Sequence, residues 1–230
     1  VSLNDVFDLN ITINTTDSVY AAQFDLYFNS TILDALNITE GDFLKVPANQ
    51  CGQSPPLQNC TFSVIQINNT LGKIVFVSTR FNTSSGISGS GTLATITFRA
   101  KAYGIGALGL NDVKAADPDI NPIAVNAVNG SVRVNTPPAL QAIGNKTVNE
   151  NVLLAFQVNA TDVDADALVY SAQNLPSGAT FNNATRMFSW IPSFVQAGVY
   201  TVTFTVSDGL ATDPETITIT VNNVNRPPVL

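Results

Sequence analysis

Histidine is absent from all 230 residues. Its absence removes the usual general base, the Ser/His/Asp and Cys/His arrangements, and every His-bearing zinc site. Charge is scarce too: Asp, Glu, Lys and Arg make up 12% of the chain, 10 basic against 17 acidic. No Lys/Arg cluster exists to neutralise phosphates, and a net charge of −7 excludes a nucleic-acid partner. No apolar run approaches the ~18 residues a membrane-spanning helix needs, so no transmembrane segment is expected in this fragment. Any leader or anchor would lie outside it. Cysteine occurs twice, and Cys51 and Cys60 lack the C-x-x-C spacing of metal and redox motifs.

What remains is 45% apolar, enough to build real cores, with abundant Asn, Thr, Ser and Val. That mixture suits pleated surfaces and turns better than helices. Period-2 alternation dominates. Ala94, Ile96 and Phe98 share one face against Thr95 and Thr97. Tyr200, Val202, Phe204 and Val206 alternate with Thr201, Thr203 and Thr205, and Ile217, Ile219 and Val221 with Thr216, Thr218 and Thr220. Each run predicts a strand with one buried face, punctuated by turns such as Asn129-Gly130 and Ser207-Asp208-Gly209. Only Thr31–Leu36 suits a short helical turn. The expected fold is all-β, two tandem sandwiches.

Eleven Asn-x-Ser/Thr sequons occur, at Asn10, Asn14, Asn29, Asn37, Asn59, Asn68, Asn82, Asn129, Asn145, Asn159 and Asn183. Chance placement gives about four. In Phe7–Ile13 the odd positions are apolar, so Asn10 shares the solvent face with Asp8 and Thr12; the same logic puts Asn159 outside. The excess predicts a glycoprotein, secreted or on the cell surface. In that setting the two cysteines are expected to form a Cys51–Cys60 disulfide rather than stay free thiols. Closing so short a loop removes roughly 2–3 kcal/mol of chain entropy from the unfolded state.

Val134-Asn135-Thr136-Pro137-Pro138-Ala139-Leu140 recurs ninety residues later as Val224-Asn225-Arg226-Pro227-Pro228-Val229-Leu230. Pro-Pro stiffens an extended connection and cannot continue a ladder, so each copy marks a module junction. Modules are therefore expected at residues 1–134 and 135–226. Residues 227–230 would start a further module or a strand-donating tail.

Residues 1–134 resemble the cohesin family. The resemblance rests on Ala22–Phe28 followed by Leu33, on Gly41–Leu44, Gly72–Phe76 and Gly89–Phe98, and on Asn129–Val132. It implies a nine-stranded jelly roll that binds dockerin partners or serves as a surface-protein module. A full strand usually precedes the turn matched here by Asn4-Asp5; only Val1-Ser2-Leu3 stand there. Residues 135–226 resemble the Ig-like, cadherin-like repeats of bacterial and archaeal surface proteins. They match through Thr147–Asn151, Asp162–Asp166, Leu175–Gly178, Phe188–Pro192, Ala197–Tyr200 and Ser207–Gly209. The combination with dense sequons points to an archaeal surface protein.

Asp162, Asp164 and Asp166 alternate, so as a strand they would share one face, where bare carboxylates repel and Ca²⁺ would relieve them. Calcium-binding cadherin repeats place this Asp-x-Asp at the pole facing the preceding linker, here Asn135. Glu150, Asn223 and Asn225 would form the opposite pole. A structural calcium is the one candidate cofactor. Asp117-Pro118-Asp119 reads as a turn, Asp25 as solvent-facing, and Trp190 as core. No carboxylate pair has an identifiable cleft, so no enzymatic activity is expected.

The preferred expectation is a structural, self-associating surface glycoprotein of a filament, sheath or surface layer. Its sandwich edge would be filled by a strand from a neighbouring subunit. The alternative is a cohesin-type recognition module gripping dockerin-bearing proteins.

Overall fold

The computed structural model describes residues 1–45, 61–81 and 85–225. All regular structure among them is β, in two compact units, Val1–Val134 and Asn135–Leu230.

The first unit contains β1 (Val6–Val19), β2 (Ala21–Phe28), β3 (Leu33–Glu40), β4 (Thr61–Asn68), β5 (Lys73–Arg80), β6 (Ile87–Ala100), β7 (Gly104–Ala116), β8 (Pro122–Ile123) and β9 (Gly130–Val134). One sheet runs β1-β6-β3; the other runs β4-β5-β2-β7, with β8 and β9 pairing opposite ends of β7. Alternation does the work the sequence promised: Phe24 and Leu26 of β2, Ile74 and Phe76 of β5, and Ile96 and Phe98 of β6 are all buried between the sheets. Phe24 stacks on Phe76 at 4.9 Å, and Phe28 meets Phe98 edge-on at 5.2 Å. Such pairs add about 0.5–1.5 kcal/mol each beyond area burial.

Residues 31–36 do not form a helical turn. Asn29 closes one tight turn, accepting the Thr31 backbone N–H and hydroxyl on its side chain and the Ile32 and Leu33 N–H groups on its carbonyl. Leu33 then starts β3, because Leu33 and Ala35 alternate into the core and their burial outweighs local helical preference. The β4–β5 turn is held against β2: Gly72 has φ +61°, and its carbonyl accepts the Phe28 N–H. A Cβ there would lie 2.2 Å from the Phe28 carbonyl oxygen, so only glycine fits. From the same turn Asn69 reaches β3, its amide oxygen accepting the Ala35 N–H at 2.8 Å and its amide nitrogen donating to the Ala35 carbonyl at 2.9 Å. It covers the register shift at Ala35/Asn37.

The second unit contains β10 (Ala139–Leu140), β11 (Lys146–Asn149), β12 (Leu154–Gln157), β13 (Ala160–Thr161), β14 (Val169–Gln173), β15 (Thr180–Asn182), β16 (Met187–Trp190), β17 (Gly198–Ser207) and β18 (Thr212–Asn222). Its main sheet runs β11-β18-β17-β14 and faces β12-β16-β15. Every pairing is antiparallel except β11 with β18, which is parallel. Trp190 is a core residue: its indole N–H donates to the Ser177 carbonyl and its ring meets Tyr200 edge-on at 5.0 Å.

Candidate functional site

Three surfaces carry chemistry. The first is the outer face of β4-β5-β2-β7. Inward positions are apolar along β2 and at Ile65, Ile67, Ile74 and Phe76, with Ser78 and Arg80 buried at the end of β5, so register sets what faces out: Phe62, Val64, Gln66 and Asn68 on β4, Lys73, Val75, Val77 and Thr79 on β5, and Gln23, Asp25 and Tyr27 on β2. Val64 lies opposite Val77, and Gln66 opposite Val75. Phe62 is 64% exposed, which makes the patch an unusual apolar display for a mostly polar surface. Charged pairs frame it. Lys73 contacts Asp25 at 2.7 Å with its ammonium 5.3 Å from the Tyr27 ring centre, and Lys114 contacts Asp112 at 2.6 Å. The Asp25 hydrogen bond, then that of Tyr27, pushes the Lys73 pKa upward; Lys114 draws that of Asp112 down. Asp25, expected to face solvent, is partly covered by this ion pair.

The opposite face, on β1-β6-β3, is a polar ladder: Thr97 donates to Asp8, Thr95 to Asn10 and Ser90 to Asn14. Arg99 and Lys101 both hold Asp34, at 2.9 and 3.0 Å. Their hydrogen bonds, Arg99 first, keep its carboxyl below the usual value. Sequons Asn10, Asn14 and Asn37 all open from this face. The β4-β5-β2-β7 face carries one, Asn68, at the last residue of β4. Of the nine sequon asparagines in the described residues, eight are exposed and Asn159 is half-buried. Asn59, Asn82, Cys51, Cys60 and the 227–230 tail lie outside the described residues.

The second surface is a groove of about 670 Å³ beside β1, lined by Leu9, Ile11 and Ile13 on one wall and by Leu110, Val113 and Ile123 on the other. Among the described residues β1 pairs only with β6, leaving its other edge without a strand. The stub before it is tied down: the Val1 amino group donates to the Arg133 carbonyl, and Asn4, at φ 70°, turns the chain into β1.

The third lies in the second unit. Asp162, Asp164 and Asp166 do come together, each offering an oxygen within 4.8 Å of the others. They do so in a loop, not on a strand face. The strand expected there ends at Thr161, and Ala165 adopts a left-handed backbone at φ 61° that no ladder tolerates. The Asp166 N–H donates to Asp162 Oδ1 and the Thr136 N–H to Asp164 Oδ2. Glu150, at the other end, is buried with one oxygen accepting the Ala197 N–H and the other the Val224 N–H; Asn223 and Asn225 are exposed. Asp117 closes a turn, as its spacing predicts, accepting from the Asp119 and Asn121 backbones and the Asn121 amide. No helix among the described residues is long and apolar enough to cross a membrane.

Parts of the chain are similar to known proteins. Cellulose-binding protein A of Clostridium cellulovorans is 24% identical over 173 residues, 71% of this chain; the chain spans 8% of that protein. Among solved structures, a non-cellulosomal cohesin from the archaeon Archaeoglobus fulgidus is 20% identical with a TM-score of 0.46, covering 59% of this chain and 84% of that one. A cohesin from a type I cohesin–dockerin complex of Clostridium thermocellum is 17% identical at 0.46, covering 58% and 86%. The family model described as "Putative Ig domain" matches residues 136–222. The model described as "Cohesin domain" matches residues 2–134, more than half of the sequence, and by that match the chain belongs to the cohesin family.

Proposed function

We propose that this chain is a non-catalytic, extracellular recognition segment whose cohesin module grips a dockerin-bearing protein through the outer face of β4-β5-β2-β7. The observation that carries this reading is the contrast between the two faces. One presents Phe62, Val64, Val75 and Val77 inside a frame of paired charges, with one sequon at its edge. The other bears three exposed sequons. Apolar centres ringed by polar groups are the usual anatomy of a protein-binding patch. Family membership supplies the partner class. The test is calorimetric titration with dockerin modules from the source organism, against the unaltered protein and Val64→Asp/Val77→Asp. Two buried charges at the centre should weaken binding at least a hundredfold, about 2.7 kcal/mol or more, with thermal stability nearly kept. Equal affinity for both proteins would overturn the choice of face, and no binding to any dockerin would overturn the partner.

The groove beside β1 favours a second reading, self-assembly in which a neighbouring copy adds a strand to the free β1 edge. Ile11→Asp would then abolish concentration-dependent polymers in sedimentation runs. A protein that stays monomeric at millimolar concentration defeats this reading and leaves the first intact.

A further inference from the structure

We infer that Asn10, Asn14, Asn29, Asn68, Asn129 and Asn145 carry N-linked oligosaccharides, because the fold binds each side chain through its amide oxygen and leaves free the amide nitrogen, the atom that takes the sugar. The inference does not rest on the recognition reading. Four of the oxygens accept backbone N–H groups: Asn29 that of Thr31 at 3.0 Å, Asn68 that of Leu71 at 3.0 Å, Asn129 that of Leu110 at 2.9 Å and Asn145 that of Thr218 at 2.9 Å. A backbone N–H can only donate, so the atom facing it must be oxygen, and these four amides cannot be turned round. Asn10 and Asn14 accept from the hydroxyls of Thr95 and Ser90, at 2.8 and 2.9 Å.

Asparagines outside the sequons supply the contrast. Asn69, Asn121 and Asn222 are also exposed, yet each donates through its amide nitrogen, to the Ala35 carbonyl, to Asp117 and to Asn149. Asn135 does the same to Asp208 from a buried place. Among the described residues, none of the nine sequon asparagines donates through its nitrogen. Surface position alone does not explain that division. The hydroxyl-bearing third residue is exposed at all six sites as well: Thr12, Thr16, Thr31, Thr70, Ser131 and Thr147.

Attachment joins Nδ2 to the anomeric carbon of an oligosaccharide carried on a lipid phosphate, which the cell supplies together with the transferase. The bond from that carbon to the phosphate oxygen breaks, its electron pair leaves with the phosphate, and Nδ2 gives up one proton. The second N–H and the amide oxygen stay, so none of the six bonds has to break. Asn129 and Asn145 each stand one residue before a strand, β9 and β11, and each lengthens that strand's pairing by one side-chain bond. A glycan there sits where β7 or β18 would next accept a strand, and its bulk bars a neighbouring chain from adding one.

The test begins with intact-glycopeptide mass spectrometry of the full chain from its native source. Glycans should cover at least three of the four sites anchored to backbone, Asn29, Asn68, Asn129 and Asn145; fewer overturns the inference. Amide hydrogen exchange then compares the native protein with Ser131→Ala, which removes the Asn129 sequon and keeps the asparagine. The Leu110 N–H should exchange equally slowly in both, and about tenfold faster in Asn129→Ala. Faster exchange in the glycosylated protein than in Ser131→Ala would mean that sugar and anchor exclude each other, and overturns the inference, as does exchange unmoved in Asn129→Ala. Because the first arm needs no substitution, a variant that fails to fold does not shield the proposal.

Discussion

Glu150→Ala is the sharpest test of how the second module is held. The carboxylate is 2% exposed and accepts two backbone N–H groups, from Ala197 at 3.2 Å and Val224 at 2.9 Å. The first belongs to the approach to β17 and the second to the chain leaving β18, so one side chain ties three segments. Hydrogen bonds to a charged acceptor contribute about 1.5–3 kcal/mol each, and truncation also strands two donors and leaves a small cavity. Some water will enter, so the expected loss is about 3–5 kcal/mol rather than the full sum. For a unit of this size each kcal/mol moves Tm by about 4–8 °C, which puts the shift at about 12–40 °C. Scanning calorimetry should show this drop in the transition of the Asn135–Leu230 unit only, with the Val1–Val134 transition unmoved. Glu150→Gln, which keeps one acceptor but turns an amide N–H₂ towards a donor, should fall in between. A drop under 5 °C for the alanine variant would refute the reasoning.

Asn69→Ala should destabilise the first module by about 2–3 kcal/mol in urea titrations, since both backbone groups of Ala35 lose their partner in a half-buried place. Asp34 has a pKa below its usual 3.8 because Arg99 and Lys101 bond it, so its stabilising effect is complete above pH 3.8 and fades as pH falls through the lowered folded value. Asp34→Asn should therefore flatten the acid limb of the first module's stability curve while costing under about 1 kcal/mol at pH 7, as expected of a partly exposed cluster. Peptide mass spectrometry of the native material should find glycans on Asn10, Asn14 and Asn37; bare asparagine at all three would undo the contrast between the two faces.

Much of the framework was legible in the sequence because alternation is local. Ala94/Ile96/Phe98 and the Thr-rich pairs of β17 and β18 announce their buried face without knowledge of any partner strand. The Asp117 turn was legible for the same reason, since proline and its Asx bonds act within four residues. The 162–166 loop was not. Its three alternating aspartates imitate a strand, and the residue that breaks the strand, Ala165, carries no turn signal of its own. Contacts made across long separations were equally hidden. Asn69 reaches Ala35 over 34 residues, and Glu150 finds its donors 47 and 74 residues away. Nor did the sequence show the display on β4 and β5, because their outward valines and phenylalanine look like core until the register turns them to solvent. The family match and the two unlike faces of the first module support the recognition alternative better than the self-assembly expectation.

The parallel pairing of β11 with β18 has a mechanical consequence. Lys146–Asn149 run alongside Ile219–Asn222 in the same direction, so tension applied from the two ends of the module pulls these strands lengthwise past each other. The four registers then bear the load together instead of peeling open one at a time. A module tethered at both ends on a cell surface would thus resist stretching up to a threshold and give way in a single step, which pulling on single molecules would record as one sharp rupture per module.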